Sequence, residues 1–315
     1  MRLLITGGAG FIGSNFVQYI LEKYPDYEVV NLDALTYAGN PDNLKEVMGN
    51  PRHRLVQGRI EDGGLVDRLM PGIDMVINFA AESHVDRSIL EPQVFIKTNV
   101  MGTQVLLDAA LRHKVRLFYQ ISTDEVYGAL RLDSRERFTE ESQLRPNSPY
   151  SASKASADLL VMAYHHTYGL PVVISRCSNN YGPRQHPEKF IPTVILNALK
   201  DRPVPIYGDG LYVRDWIHVL DHCRAIDCIM HRGKPGEVYN VGADNEMANI
   251  DLAKTILRIL GKPESLLTSV KDRPGHDRRY AIDATKIGRK LGWSPAIPFD
   301  TGLPEAIRTY LPHQP

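Results

Sequence analysis

Arg2-Leu3-Leu4-Ile5-Thr6-Gly7-Gly8-Ala9-Gly10-Phe11-Ile12-Gly13 holds a strand, a turn and the start of a helix in one short run. Leu3 to Ile5 reads as a strand buried on both faces, the glycines allow a tight turn, and Phe16, Val17, Ile20 and Leu21 follow at helical spacing. A helix that begins at such a turn presents free amides and a positive dipole end, and glycines let a pyrophosphate approach them. Gly7, Gly10, Phe11, Ile12 and Gly13 are therefore expected to cradle a dinucleotide. A second strand, Glu28-Val29-Val30-Asn31-Leu32, ends in Asp33 about 20 residues past Gly13. A carboxylate there can accept from a ribose 2′-hydroxyl and would repel a 2′-phosphate, which predicts NAD rather than NADP.

Farther along, apolar runs at Leu55-Val56, Met75 to Phe79, Val115 to Ile121 and Val172 to Ile174 alternate with helical patterns. That rhythm predicts an α/β fold, a doubly wound parallel Rossmann sheet with a smaller C-terminal substrate-binding lobe. Such sheets bind ligands outside the carboxyl ends of their strands, and Gly7, Asp33, Ala80, Thr123 and Cys177 all lie just past strand ends. After residue 175 the pattern becomes irregular, with Pro183, Pro187, Pro192, Pro203 and Pro205 and short helical stretches near 218–231, 250–260 and 300–310. Residues 1–175 are expected to form the NAD-binding domain, with part of 211–241 returning to it. Residues 176–315 form mainly the substrate lobe.

With 315 residues and 43% hydrophobic content, the chain can bury a substantial core. Lys plus Arg equals Asp plus Glu at 37 each, so there is no net basic field to recruit nucleic acid or an anionic membrane, and small-molecule partners are expected. Cys177, Cys223 and Cys228 form neither an even framework nor a C-x-x-C pair. That usage suits a reducing cytoplasm, as does the lack of a transmembrane-length apolar run or a signal-like leader before the first strand. His218 and His222 stand at i,i+4, but no glutamate completes a His-Glu-x-x-His pattern, so packing at a helix start is expected and no metal.

Two groups carry chemistry. Ala152, Ala155, Leu159, Val161 and Met162 recur at helical spacing, so Tyr150 and Lys154 share a helix face one turn apart. By itself this is the pattern of a surface pair; beside a dinucleotide turn it is a redox base. A free phenol has a pKa of about 10, and an adjacent ammonium or a cationic nicotinamide favours phenolate. At the mouth of the fifth strand, Ser122-Thr123-Asp124-Glu125 supplies two carboxylates, which in isolation read as a solvated acidic loop. Eliminating water from a sugar needs a base for the proton beside a carbonyl and an acid for the departing hydroxide. Glu125 and Asp124 can fill those roles if burial and a like charge keep Asp124 protonated.

The chain resembles the dTDP-glucose 4,6-dehydratases, of the extended short-chain dehydrogenase/reductase superfamily, from Met1 to about residue 310. The likeness rests on Thr6 to Gly13, Asp33 to Asn40, Ala80 to Asp86, Ser122 to Gly128, Ser178 to Pro183, Tyr207 to Gly210, Arg214 to Trp216 and Asp272 to Asp277. Superfamily epimerases share much of this but lack the acid pair, so Thr123-Asp124-Glu125 is the narrower mark. The resemblance implies a lyase acting on dTDP-glucose: Tyr150, with Lys154, deprotonates the C4 hydroxyl as hydride leaves for NAD, Glu125 takes the C5 proton, and Asp124 protonates the C6 hydroxyl. Hydride then returns to C6, giving a 4-keto-6-deoxy sugar nucleotide, with Thr123 on the C4 oxygen. It also implies cofactor contacts at Asp33, Ala34, Leu35, Thr36, Arg59, Ile60, Ala80, Ala81, Thr98 and Asn180. Substrate contacts are implied at Ser83, Asn179, Lys189, Phe190, Tyr207, Arg214, Asn249, Arg273 and His276. One departure is Arg59, which stands where relatives commonly carry an Asp that contacts adenine; its guanidinium could stack there instead. Relatives pair as homodimers through a four-helix bundle, here expected to use Pro92 to His113 and the Tyr150 helix, with Val100, Val105, Leu106, Ala155 and Leu159 available. UDP-glucose as substrate, a 4-epimerase and a catalytically silent sugar-nucleotide sensor are the alternatives.

Overall fold

A computed structural model describes residues 1–311. Strand and helix alternate through the first half: β1 (Arg2–Thr6), α1 (Phe11–Lys23), β2 (Glu28–Asp33), β3 (His53–Gln57), α2 (Gly63–Leu69), β4 (Met75–Asn78), α3 (Val85–Leu90), α4 (Pro92–Phe95), α5 (Thr103–Arg112), β5 (Leu117–Thr123), α6 (Pro149–Tyr168) and β6 (Val172–Cys177). The rest adds β7 (Asn179–Tyr181), α7 (Phe190–Leu199), β8 (Val204–Tyr207), β9 (Val213–His218), α8 (Val219–Arg232), β10 (Glu237–Val241), β11 (Glu246–Ala248), α9 (Asn249–Ile259), β12 (Leu267–Val270), α10 (Thr285–Leu291) and α11 (Phe299–Arg308).

Seven parallel strands in the order β10-β6-β5-β4-β1-β2-β3 make the main sheet. Alternation along β1 explains its two covered faces. Leu3 and Ile5 join Phe16 and Ile20 of α1 and Ile226 and Ile229 of α8, whereas Leu4 joins Val66 of α2 and Leu106, Leu107 and Ala110 of α5. The strand order reverses between β1 and β4, so their carboxyl ends open a crevice there. A third core, with Ile191 and Ile195 of α7, Leu252 and Ile256 of α9 and Leu303 and Ile307 of α11, stands apart from both faces of the sheet. Two small sheets, β11-β9-β7 and β12-β8, accompany it.

Three details differ from the pattern read in the sequence. The fifth strand is Leu117–Thr123 rather than Val115 to Ile121: Lys114 adopts a positive φ of 55° after α5, and Val115 packs beneath the turn. The strand therefore runs to Thr123, and Asp124–Tyr127 form a 3₁₀ turn. The helix from Pro92 is interrupted by a π-helical run, Ile96–Gly102, which carries Thr98 and Asn99. Leu106 and Ala155 face inward, to the α5 core and to Val126 and Tyr127 respectively, so of the five residues proposed for pairing only Leu159 is strongly exposed.

Candidate active site

A cleft of about 300 Å³ opens at the carboxyl edge of the sheet. Its floor is the first βα turn. Gly7 has a φ of 71°, and a Cβ there would sit 2.7 Å from the Ala80 nitrogen, so only glycine lets this turn lie against the end of β4. Ser14 N–H makes the first helical bond, to Gly10 O, which leaves the amides of Phe11, Ile12 and Gly13 at the open end of α1 facing any anion bound there. Asp33 is buried, and its carboxylate accepts the amides of Ala9 and Leu35, each at 2.8 Å. Burial raises its pKa and those two amides oppose the rise. A glycine floor, open helix amides and an oriented carboxylate fit a dinucleotide.

Ala34, Thr36, Arg59, Ile60, Ala80, Ala81 and Thr98 complete this half of the cleft. Leu35 does not join them: it contributes its amide to Asp33 while its side chain packs on the core. Glu61, which the sequence reading passed over, accepts from Thr98 Oγ1 at 3.0 Å and lies 4.0 Å from the Arg59 guanidinium. Arg59 is thus drawn toward a carboxylate on its own loop, an interaction the stacking expectation left out.

The chemical half is the meeting of β5, α6 and β6. Ser148 and Ser151 form a capping box, the Ser148 side chain accepting the Ser151 amide and the Ser151 side chain accepting the Ser148 amide, so α6 begins at a defined place. Tyr150 and Lys154 are both buried in its first turns, and the Lys154 ammonium donates to Ile121 O at 2.7 Å. Burial lowers the Lys154 pKa. Tyr150 is held well above an ordinary phenol, first by burial and then by the charges of Glu125, Cys177 and Asp124, with a hydrogen bond from Thr123 opposing.

Thr123 Oγ1 accepts the Glu125 amide and donates to Asp124 Oδ1, both at 3.3 Å, which fixes the 3₁₀ turn and brings both acids into the cleft. Asp124 is 1% exposed and its Oδ2 has no partner. Burial, then Glu125 and Asp215, raise its pKa well above a carboxylate's usual range. Burial raises Glu125 as well, but Arg273 and Arg214 work against the rise. Arg214 also opposes the rise at Asp124 and Asp277 adds to it at Glu125, but after burial the leading influences are anions on Asp124 and cations on Glu125, so the pair is asymmetric.

Of the implied substrate contacts, Ser83, Asn179 and Lys189 line the same cleft as Thr123, and the Lys189 ammonium donates to Ser83 O at 2.9 Å. Phe190, Tyr207, Arg214, Asn249, Arg273 and His276 do not line it. Phe190 stacks on Trp216, and Arg214 lies buried over the Tyr280 ring. His276 stacks on Tyr212 with ring centroids 3.6 Å apart, and Asn249 begins α9 with Oδ1 buried and unpartnered. Asp86 of α3 ties two of the others together, accepting from Tyr207 at 3.1 Å and from Arg273 at 3.3 Å. Asp86 lies in one of the motifs quoted above, but its partners are more than a hundred residues away and no local signal marks them. Nor does any mark Glu188, which lies 3.6 Å from His84 and 3.7 Å from Arg87 and His186.

A family model described as GDP-mannose 4,6 dehydratase matches residues 4–306. A dTDP-glucose 4,6-dehydratase of Streptomyces griseus is 53% identical, covering 99% of this chain and 95% of its own. The low-salt glycan biosynthesis protein Agl12 of Haloferax volcanii is 52% identical over 99% of both chains. Among solved structures, DesIV of Streptomyces venezuelae, a dTDP-glucose 4,6-dehydratase with NAD and dTDP bound, superposes with a TM-score of 0.96 at 51% identity, over 98% of this chain and 97% of its own.

Proposed function

The chain belongs to the GDP-mannose 4,6-dehydratase family, and from that membership and its cleft we infer that it is an NAD-dependent lyase converting dTDP-glucose to dTDP-4-keto-6-deoxyglucose. The observation that carries this reading is the asymmetric acid pair, Asp124 and Glu125, sharing one cleft with Tyr150 and the glycine turn.

NAD held on the glycine turn takes hydride from the sugar C4 and gives it back at C6, so the reaction has no net redox change. Tyr150 accepts the C4 hydroxyl proton, and Thr123 hydrogen-bonds the C4 oxygen as it becomes a carbonyl. Lys154, anchored on Ile121 O, keeps a positive charge in the first turns of α6, behind the phenol. The new carbonyl acidifies C5–H. Glu125 removes that proton as Asp124 gives its own to the C6 oxygen, which leaves as water, and a C5–C6 double bond forms. After hydride arrives at C6, C5 is reprotonated. Each carboxyl suits its role: the anion-flanked one starts as the acid, and the cation-faced one starts as the base.

In this reading residues 1–175, with α8 and β10, hold the cofactor, and the rest mainly holds the nucleotide sugar. Tyr207, Arg214, Arg273 and His276 meet the base and diphosphate, and Phe190 and Asn249 support them. The homodimer uses the outer face of α4, the π-helical run and α6, and the enzyme works in the cytoplasm on small molecules. No described helix is long and apolar enough to cross a membrane.

Purified protein incubated with dTDP-glucose, without added NAD, is expected to form the alkali-sensitive 4-ketone from a retained cofactor. Faster turnover of UDP-glucose would transfer the assignment to that nucleotide. A C4-inverted sugar without the ketone would make the protein an epimerase.

A further inference from the structure

His222 has no exposed surface and lies on α8, outside the cleft. It is not half of a metal pair with His218, whose Nδ1 accepts the Leu220 amide at the start of the helix. Its own Nδ1 stands 2.9 Å from Oδ1 of Asn180, which does line the cleft. The hydrogen bonds around Asn180 decide the direction of that contact. Nδ2 of Asn180 donates to Ser178 O at 3.0 Å and to Cys177 Sγ at 3.5 Å, so Oδ1 is the acceptor and His222 must donate from Nδ1. The other ring nitrogen, Nε2, then carries a bare lone pair, and it is buried without a partner. Burial pushes the His222 pKa down to about 3, in keeping with a neutral ring of a single tautomer.

The fold brings these two residues together. Asn180 pairs with Ile217 in β9, the strand that runs directly into α8, so a side chain one turn into that helix comes back beside β7. The next ladder pair, Tyr181 with His218, puts the tyrosine ring edge-on to the imidazole at 5.2 Å. Gln185 Nε2 closes the loop by donating to Asn180 O at 2.9 Å. Asn180 is thus held from four sides, and among the described residues only His222 binds its side-chain oxygen.

We propose that His222 is a positioning residue for the cofactor half of the cleft, its Nδ1–H fixing the Asn180 side-chain amide in the orientation that faces the dinucleotide. The proposal rests on the reading of this cleft as the NAD site. It places a positioning element on α8, the helix whose other face covers the sheet against α1.

The test measures NAD released from the purified protein, and NAD affinity after the cofactor is stripped, with the thermal midpoint as a control for folding. His222→Leu should hold NAD roughly tenfold more weakly, the scale of one lost buried hydrogen bond with its acceptor left unpaired. His222→Asn, whose Nδ2 can stand near the position of Nδ1, should recover most of that loss; His222→Gln, whose amide lies farther out, should not. Asn180→Ala should match His222→Leu, and the double variant should be no worse than either single one. Wild-type retention in His222→Leu, equal values for the Asn and Gln variants, or additive losses in the double variant would each overturn the proposal. If His222→Leu does not fold, the Asn and Gln variants decide alone. A wild-type protein that neither carries nor binds NAD would instead overturn the reading of the cleft, and the proposal with it.

Discussion

Asp124 and Glu125 show how little a residue's type says about its charge. Both carboxyls are raised by burial, so the folded protein prefers them protonated where the unfolded chain does not. That preference stabilises the fold fully below the ordinary carboxylate range, near pH 4, and the contribution is lost as pH rises through the raised values. Asp124→Asn with Glu125→Gln, which mimic the protonated forms, should therefore melt at a higher temperature than the wild type at pH 8, with the difference vanishing toward pH 4. Calorimetry across that range checks it. The same double variant should lose about 10²-fold or more in kcat, since both proton transfers of the elimination are removed. In the wild type, kcat should be bell-shaped, with an acid limb for ionising the base, a basic limb for deprotonating the acid, and apparent pKa values that belong to the pair. Tyr150→Phe removes the base for C4 and should abolish ketone formation, while NAD measured in the purified protein is retained. That Tyr150 and Lys154 share one turn of a helix was legible from their spacing. The upward shift of the Tyr150 pKa was not, because the groups that add to burial, Glu125, Cys177 and Asp124, lie in the turn after β5 and on β6.

At the scale of elements, the start of α6 matters most, since Tyr150 is its second residue. Ser148→Ala removes one half of the capping box and exposes a buried amide of the first turn, which should cost about 1 kcal/mol. Denaturant titration should show a lower midpoint with an unchanged slope. Because the freed turn is the one that carries the phenol, kcat should fall more than KM rises. The alternation of β1 to β6 with helices was readable because strands covered on both faces are continuously apolar, and β5 and β6 are buried along their whole length. The π-helical run at Ile96–Gly102 was not readable. Its residues fit an ordinary helix, and the tertiary contacts that engage it, such as Asn99 with Glu82 and Ser153, come from other segments.

For the whole molecule, three of the exposed apolar residues lie on neighbouring helical segments. Ile96 is 46% exposed, Met101 55% and Leu159 62%, on two helical segments that pack side by side. Exposed apolar side chains on packed helices are ordinary candidates for an interface. Met101→Glu with Leu159→Glu should convert a dimer to a monomer in light scattering while the circular dichroism of the fold is kept. An unchanged mass would place the interface elsewhere. The two lobes are joined by Asp86, which reaches from α3 to Tyr207 and Arg273 across the chain. That link and the inward turn of Leu106 and Ala155 both depend on how elements dock, which helical spacing alone leaves open.

By itself the sequence determined the parallel sheet, the glycine turn, the acid Asp33 at the end of β2 and the kinds of chemical groups at the end of β5, because each is written in local periodicity or in residues a few positions apart. Only the tertiary structure decided which charges act on each of the two adjacent carboxyls, that burial raises the Tyr150 pKa, and that the His222 ring meets the Asn180 side chain. The physical reason is that pKa and hydrogen-bond direction depend on burial and on charges within a few ångströms, and here those neighbours come from strands, loops and helices far apart along the chain.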